Sequence, residues 1–204
     1  ANYFYSFQFD NGKIIRENKN HIEKDALIIG FTSSQNVNYI FYTKTKSNKK
    51  TYYKVYEENV LVHTDSLNRV STFFSSTNNI ICISNYTELF FYKKGKNNEL
   101  IFYHKISFDK TIKKIFSKNK NKIWVTFNEG GIMYINERFE KNYLSEGVKT
   151  NYGFEDRNGN LWLTLDTDGI YYLKKNSFQN YGKDFLKTSK VLTINTLHSL
   201  HPSL

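Results

Sequence analysis

The chain has 204 residues, a formal net charge of +10, and 16 Tyr and 17 Phe against one Met, one Pro and two Trp. That length buries the core of one large domain or two small ones, and no apolar run approaches the roughly 18 residues that a membrane-spanning helix needs. The one cysteine, Cys82 in the run NIICIS, excludes an internal disulfide and reads as a buried inert thiol, which leaves the redox compartment open.

So many aromatic residues with so little Met and Pro favour strands over a helical bundle. In chain order, NYFYSFQFD and KIIREN come first, two strands meeting at Asn11 and Gly12, a strong short-range hairpin signal. They read as the third and fourth strands of one sheet, within a segment 1–27. The opening residues lack the basic start, apolar stretch and cleavage site of a secretory signal, which says nothing about export if the sequence is cut from a longer polypeptide.

Four whole units follow. The first, 28–68, holds FTSSQNVNYIFYTKTKSNKKTYYKVY and lengthens its second turn with lysines. The second, 69–110, holds FFSSTNNIICISNYTELFFY; the third, 111–149, holds IFSKNKNKIWVTFNEGGIMYI; the fourth, 150–188, holds GFEDRNGNLWLTLDTDGIYYL. The last two superpose at a constant offset of 38 residues, with Phe116 on Phe154, Trp124 on Trp162, Gly131 on Gly169 and Tyr134 on Tyr172. Ile81 takes the Trp124 position 43 residues earlier, Leu89 takes the Ile132 position, and Ile40 falls about where Ile81 does. A period near 40 marks a repeat architecture and outranks any local reading. The segment 189–204, with KVLTINTL, reads as the first strand of a further unit.

Each unit reads as four short strands. In the best copy they are TNYGFED, LWLTL, IYYLKKN and SFQNYG, joined in part by RNGN and DTDG, where Gly159 and Gly169 reach positive φ without steric cost. The runs LWL, IYYL, LFFY and IIC do not alternate, so both faces of the middle strands are expected to be buried. The expectation is an all-β chain of four-stranded antiparallel blades, a β-propeller segment with partial blades at both ends. Either the two ends share a blade and close a small ring of about five, or the chain is an excerpt of a larger one. Nothing after Leu197 resembles LWLTL, which favours the excerpt. Trp124 and Trp162 read as wedges between blades.

Catalytic patterns are lacking. There is no GxSxG elbow, HExxH pair, CxxC or glycine-rich phosphate loop, and the five histidines are scattered. His63 and His104 lie 41 residues apart in equivalent outer strands, so the repeat accounts for their relation. No enzyme activity, metal or cofactor is expected. From Asp156, Gly159 lies three residues on and Trp162 six, which does not match sialidase aspartate boxes or quinoprotein tryptophan-docking repeats. Lysines cluster in TKTKSNKK (43–50), KKGK (93–96) and SKNKNK (117–122), each at an expected turn. A solvated surface is the plainer reading and nucleic acid is not an expected partner, though a polyanion-binding module stays open.

The sequence EDRNGNLWLTLDTDGIYYLKKNSFQNY resembles the two-component regulator propeller repeat. Asp156, Asn158, Gly159, Leu161, Trp162, Thr164, Gly169, Ile170 and Tyr172 match its motif, as do Asn121, Ile123, Trp124, Thr126, Gly131, Ile132 and Tyr134 one unit earlier. The match covers about residues 113–180. What the resemblance implies is a periplasmic, extracytoplasmic sensor region of a Bacteroidota signalling protein. Two propellers then precede an immunoglobulin-like domain, a membrane span and a histidine kinase, all outside this segment. The implied ligand is an oligosaccharide or another cell-exterior compound, and the implied partner is a second copy of the full-length sensor.

In propellers, the turns joining second to third strands share one face with the connections between blades. NYTE (85–88), NEGG (128–131) and DTDG (166–169) fall there. Asn85, Glu88, Asn128, Glu129, Asp166 and Asp168 are candidate partners for sugar hydroxyls, and Tyr86 is a candidate stacking ring. The plainer alternative is ordinary polar turns. At the level of function, the alternative to sensing is a structural or interaction propeller at the cell surface.

Overall fold

Short aromatic and β-branched runs separated by Gly, Asn and Asp leave the backbone one economical choice, to pair each run with the next through a tight turn. A computed structural model of the chain describes residues 2–174 except 11–12, 24, 35–36, 45–46, 69–70, 72, 77–79, 118–121 and 167–168. Among the described residues there are seventeen strands and no helix. The chain divides into two compact units, 1–105 and 106–204.

The first unit opens with an antiparallel pair, β1 (Asn2–Asp10) and β2 (Lys13–Ile22), whose register shifts by one residue at Gln8/Phe9. Two four-stranded sheets follow, each with its strands in chain order. One comprises β3 (Ala26–Ser34), β4 (Val37–Lys44), β5 (Ser47–Glu57) and β6 (Val60–Leu67). The other comprises β7 (Phe73–Ser76), β8 (Ile80–Asn85), β9 (Glu88–Lys94) and β10 (Leu100–Ser107). They pack face to face: Tyr39, Phe41, Tyr53 and Val55 of one share a buried cluster with Ile81, Ile83, Phe90 and Tyr92 of the other. Two tyrosine hydroxyls tie the sheets further. Tyr53 Oη accepts the Leu100 N–H at 3.1 Å, and Tyr39 Oη donates to the Asn98 carbonyl at 3.4 Å.

The second unit repeats the plan. Strands β11 (Ile112–Phe116), β12 (Lys122–Phe127), β13 (Ile132–Asn136) and β14 (Lys141–Ser145) form one sheet; β15 (Thr150–Glu155), β16 (Leu161–Leu165) and β17 (Ile170–Leu173) form a three-stranded one. Phe116, Trp124, Ile132 and Leu144 pack with Leu161, Leu163 and Leu173 across the gap. Gly153 is there for space: a Cβ on it would lie 2.6 Å from both the Phe116 ring and a Leu163 methyl.

The repeat is visible in register. Trp124 stands between Phe116 and Tyr134 in the pairing of its sheet, and Trp162 stands between Phe154 and Tyr172 in the next. Thr126 opposite Ile132, Ser84 opposite Leu89 and Thr164 opposite Ile170 mark a second equivalent level. Gly131, Gly159 and Gly169 have φ of 111°, 82° and 86°, as the turn reading requires. His63 and His104 do lie in outer strands, β6 and β10.

Coverage of the two faces differs from sheet to sheet among the described residues. In β8, β9 and β12 consecutive residues are buried, so both faces are covered. In β16, however, Leu161 and Leu163 are buried while Trp162 between them is partly exposed. Phe154 is 49% exposed on the neighbouring strand. Among the described residues the face carrying Phe154, Trp162 and Tyr172 is only partly covered, and residues 175–204, which would hold the next sheet, lie outside them; Trp124, 1% exposed, is a buried wedge. The turn at Asn11 and Gly12, the strand SFQNYG and the segment 189–204 lie outside the described residues.

Replacing Trp124 by Ala is expected to cost about 3–5 kcal/mol in urea denaturation, because it empties a fully buried site. Trp162→Ala is expected to cost less than half of that, and Gly153→Ala about 1–3 kcal/mol through overpacking. Equal losses at the two tryptophans would contradict the burial difference.

Candidate functional site

The turns between second and third strands are built against the connections between sheets. In the second unit the Asn128 N–H donates to the Thr111 carbonyl at 2.9 Å, and the Gly131 N–H to the Val148 carbonyl at 2.9 Å. The Asp166 N–H donates to the Lys149 carbonyl at 3.2 Å. The first unit follows the same rule: Glu23, before β3, pairs with Lys44 at the end of β4, and the Ser71 N–H donates to Thr51 Oγ1 at 3.1 Å. Turns and connections therefore share one end within each unit.

Several candidate side chains are occupied in holding this end together. The Glu129 carboxylate accepts the Thr111 N–H at 3.1 and 3.3 Å from its two oxygens. Asp166 pairs with Lys113 at 2.7 Å. The start of β11 thus receives both acidic turns, 128–131 and 166–169. Glu88 pairs with Lys105 of the outer strand at 2.9 Å. Asn128 is exposed, and Asp168 lies outside the described residues. In the first unit, Tyr86 is 60% exposed with φ of 44°. Beside it the half-buried Asn85 has its Oδ1 buried without a hydrogen-bond partner.

The acidic residue of the repeat has a local role. Asp156 Oδ1 accepts the N–H groups of Asn158 and Asn160, both at 2.9 Å, and Oδ2 accepts Asn160 Nδ2 at 2.9 Å and Trp162 Nε1 at 3.1 Å. The Asn160 amide foremost, then against it the opposing effect of burial, then the indole and the two backbone N–H groups, leave the carboxyl held down at about 2. Trp124 is served differently: its Nε1 donates at 3.2 Å to Glu155, a carboxylate 3% exposed on the neighbouring sheet. Sequence reading missed both this bond and the Lys113–Asp166 pair, since each joins residues more than thirty apart.

It also missed a cleft of about 250 Å3 lined by the connection 108–110, by Phe127, Gly131 and Met133, and by Tyr143, Ser145 and Glu146 at the end of β14. The signal was available. SFDK, after β10, obeys the same rule that placed NEGG on this end. Among the described residues no cluster of three metal-ligating side chains occurs, and burial pushes the Cys82 thiol up. Among the described residues no helix is long and apolar enough to cross a membrane.

Each lysine-rich turn seats one ammonium on a tyrosine ring of its own unit. Lys44 lies 4.6 Å from the Tyr52 centroid, Lys93 3.4 Å from Tyr103, and Lys122 4.7 Å from Tyr134.

No protein-family profile matches the chain, and no curated protein matches it. Among solved structures it is similar to the crystal structure of HIRA(644-1017), at 10% identity and a TM-score of 0.48. That alignment covers 73% of this chain and 50% of the other, so the chain spans about half of that structure's length. A likeness of this degree adds nothing to the fold read from the strands themselves.

Replacing Asp156 by Ala is expected to lower Tm at neutral pH. The depressed pKa means that the stabilisation is complete above about 3.8 and disappears as pH falls through about 2. The Tm difference between parent and variant should therefore close over that window, and a difference constant down to pH 2 would contradict the assignment.

Proposed function

We propose that the chain is a segment of a β-propeller that serves as the ligand-sensing extracytoplasmic region of a two-component signalling protein, without enzymatic activity of its own. The observation that carries the reading is the matched placement of Trp124 and Trp162, each between a Phe and a Tyr of its own sheet, which is the level where the two-component regulator propeller motif has its tryptophan. Meander sheets stacked face to face, with their second-to-third turns and connections at one end, support the propeller geometry. Sensing needs only binding that favours one arrangement of the sensor over another. A histidine kinase, a membrane span and dimer contacts would belong to other parts of a longer protein.

The ligand in this reading is an oligosaccharide. Tyr86, with its exposed ring on the turn between β8 and β9, is the best-suited residue of the first unit. The second unit, taken by itself, offers the exposed amide of Asn128. Glu129, Asp166 and Glu88 are engaged within the protein and recede as direct contacts.

A surface-assembly role is the second reading, favoured by the exposed apolar runs Val60, Leu61, Val62 on β6 and Ile101, Phe102, Tyr103 on β10.

A glycan array probed with the chain is expected to select neutral oligosaccharides, with binding reduced at least about fivefold by Tyr86→Ala. Binding to heparin alone, with an affinity that falls steeply as salt rises, would replace this reading by the polyanion one.

A further inference from the structure

The outermost strand of the first four-stranded sheet, β6, is unlike its counterparts. A strand at the rim of a sheet carries unpaired backbone groups, and natural sequences guard it with charge, lysine above all. Strands β10 and β14 follow that rule: Lys105 lies on β10, where Lys93 also covers the Tyr103 ring at 3.4 Å, and Lys141 opens β14. Strand β6, VLVHTDSL, has neither lysine nor arginine, although the chain holds 29 of them. Val60, Leu61 and Val62 at its start are exposed, as are Thr64 and Asp65. Among the described residues β6 pairs with β5 alone, along one side.

The edge is also close to neutral. Residues 50–67, which form most of β5, the turn and β6, carry Lys50 and Lys54 against Glu57, Glu58 and Asp65. A chain of net charge +10 repels its own copies as a whole, and this edge adds nothing to that repulsion.

The strand is complementary to itself. A register shift between Val55 and Tyr56 places a bulge at Leu61 and Val62, after which residues 63–67 pair regularly with 55–51. Laid antiparallel to a second β6 about a twofold axis through Thr64, this stretch sets Thr64 opposite Thr64, His63 opposite Asp65 twice, and Val62 opposite Ser66. Thr–Thr and opposite-charge pairs are among those that stabilise antiparallel sheets. Lys54, opposite Thr64 on β5, would stand about 14 Å from its copy, three strand spacings away and beyond a Debye length of about 8 Å. An axis at Ser66 would set Asp65 against Leu67, and one at Val62 would run into the bulge.

We propose that β6 is a self-association edge: two copies of this chain join their first four-stranded sheets into one continuous sheet through antiparallel β6–β6 pairing about Thr64. The contact is additional to dimer contacts in other parts of a longer protein. It uses neither Tyr86 nor Asn128, so absence of glycan binding would leave it standing.

Sedimentation equilibrium of the whole chain is expected to show monomer and dimer in exchange. Thr64→Glu sets two carboxylates face to face across the axis, while Lys54 opposite it keeps the fold, so dimerisation should weaken at least about tenfold at unchanged Tm. Phe102→Glu, at an exposed position of β10, serves as the control and is expected to leave the equilibrium unchanged. Cysteine substitution tests the axis, since Cβ atoms directly opposite lie roughly 4.5–5.5 Å apart, whereas Val62 would stand about 13 Å from its copy. Under mild oxidation Thr64→Cys is expected to give a disulfide-linked dimer and Val62→Cys none; the native Cys82 is buried. A chain that stays monomeric at millimolar concentration, association beyond the dimer, undiminished dimerisation in Thr64→Glu, equal weakening by Phe102→Glu, or cross-linking at Val62 in place of Thr64 would each overturn the proposal.

Discussion

Everything in this molecule follows from the need of one sheet to hide its face on the next. A four-stranded meander of short strands has two apolar surfaces and too little mass to cover either by itself. The solution seen in both units is a twin sheet laid against it, with side chains such as Trp124, Phe41 and Ile81 in the gap. Each deeply buried aliphatic or aromatic side chain contributes roughly 1.5–3 kcal/mol, which is the main favourable term available to a chain without disulfides. Gly153 shows how tight the fit is, since even a methyl group there meets two neighbours.

How much of this was legible follows from where the information sits. Strand positions, turn glycines and the register of the two tryptophans were written in local pattern, because a strand and its hairpin partner are neighbours in sequence. The boundaries of TNYGFED and LWLTL came within a residue of β15 and β16. Which face of a sheet finds a partner is a different kind of fact. LWL and IIC read alike as apolar runs, yet among the described residues β8 is covered on both faces and β16 fully on one. Periodicity reports what a strand can bury, and the neighbour decides what it does bury. The same limit hid the Glu155 bond to Trp124 and the Lys113 pair with Asp166, whose partners belong to separate sheets.

At the candidate site, charge proved a poor guide and connectivity a good one. Residue type nominated Glu129 and Asp166, but a carboxylate beside unsatisfied backbone N–H groups or a lysine is soon taken up by them. The rule that second-to-third turns meet the connections held in both units. Applied to SFDK as well as to NEGG, it reaches the cleft lined by Phe108 and Tyr143.

The two indoles occupy different media. Both donate to a carboxylate, but one is enclosed, whereas the other lies half open in a stack with Phe154 and Tyr172, at 6.2 and 4.5 Å between centroids. Ultraviolet emission from this chain is therefore a sum of a blue, shielded component and a redder one accessible to quenchers. Because the two chromophores belong to successive sheets, selective bleaching of the second by a dissolved quencher leaves an optical signal from the first alone, so loosening of that single interface can be followed without any added label.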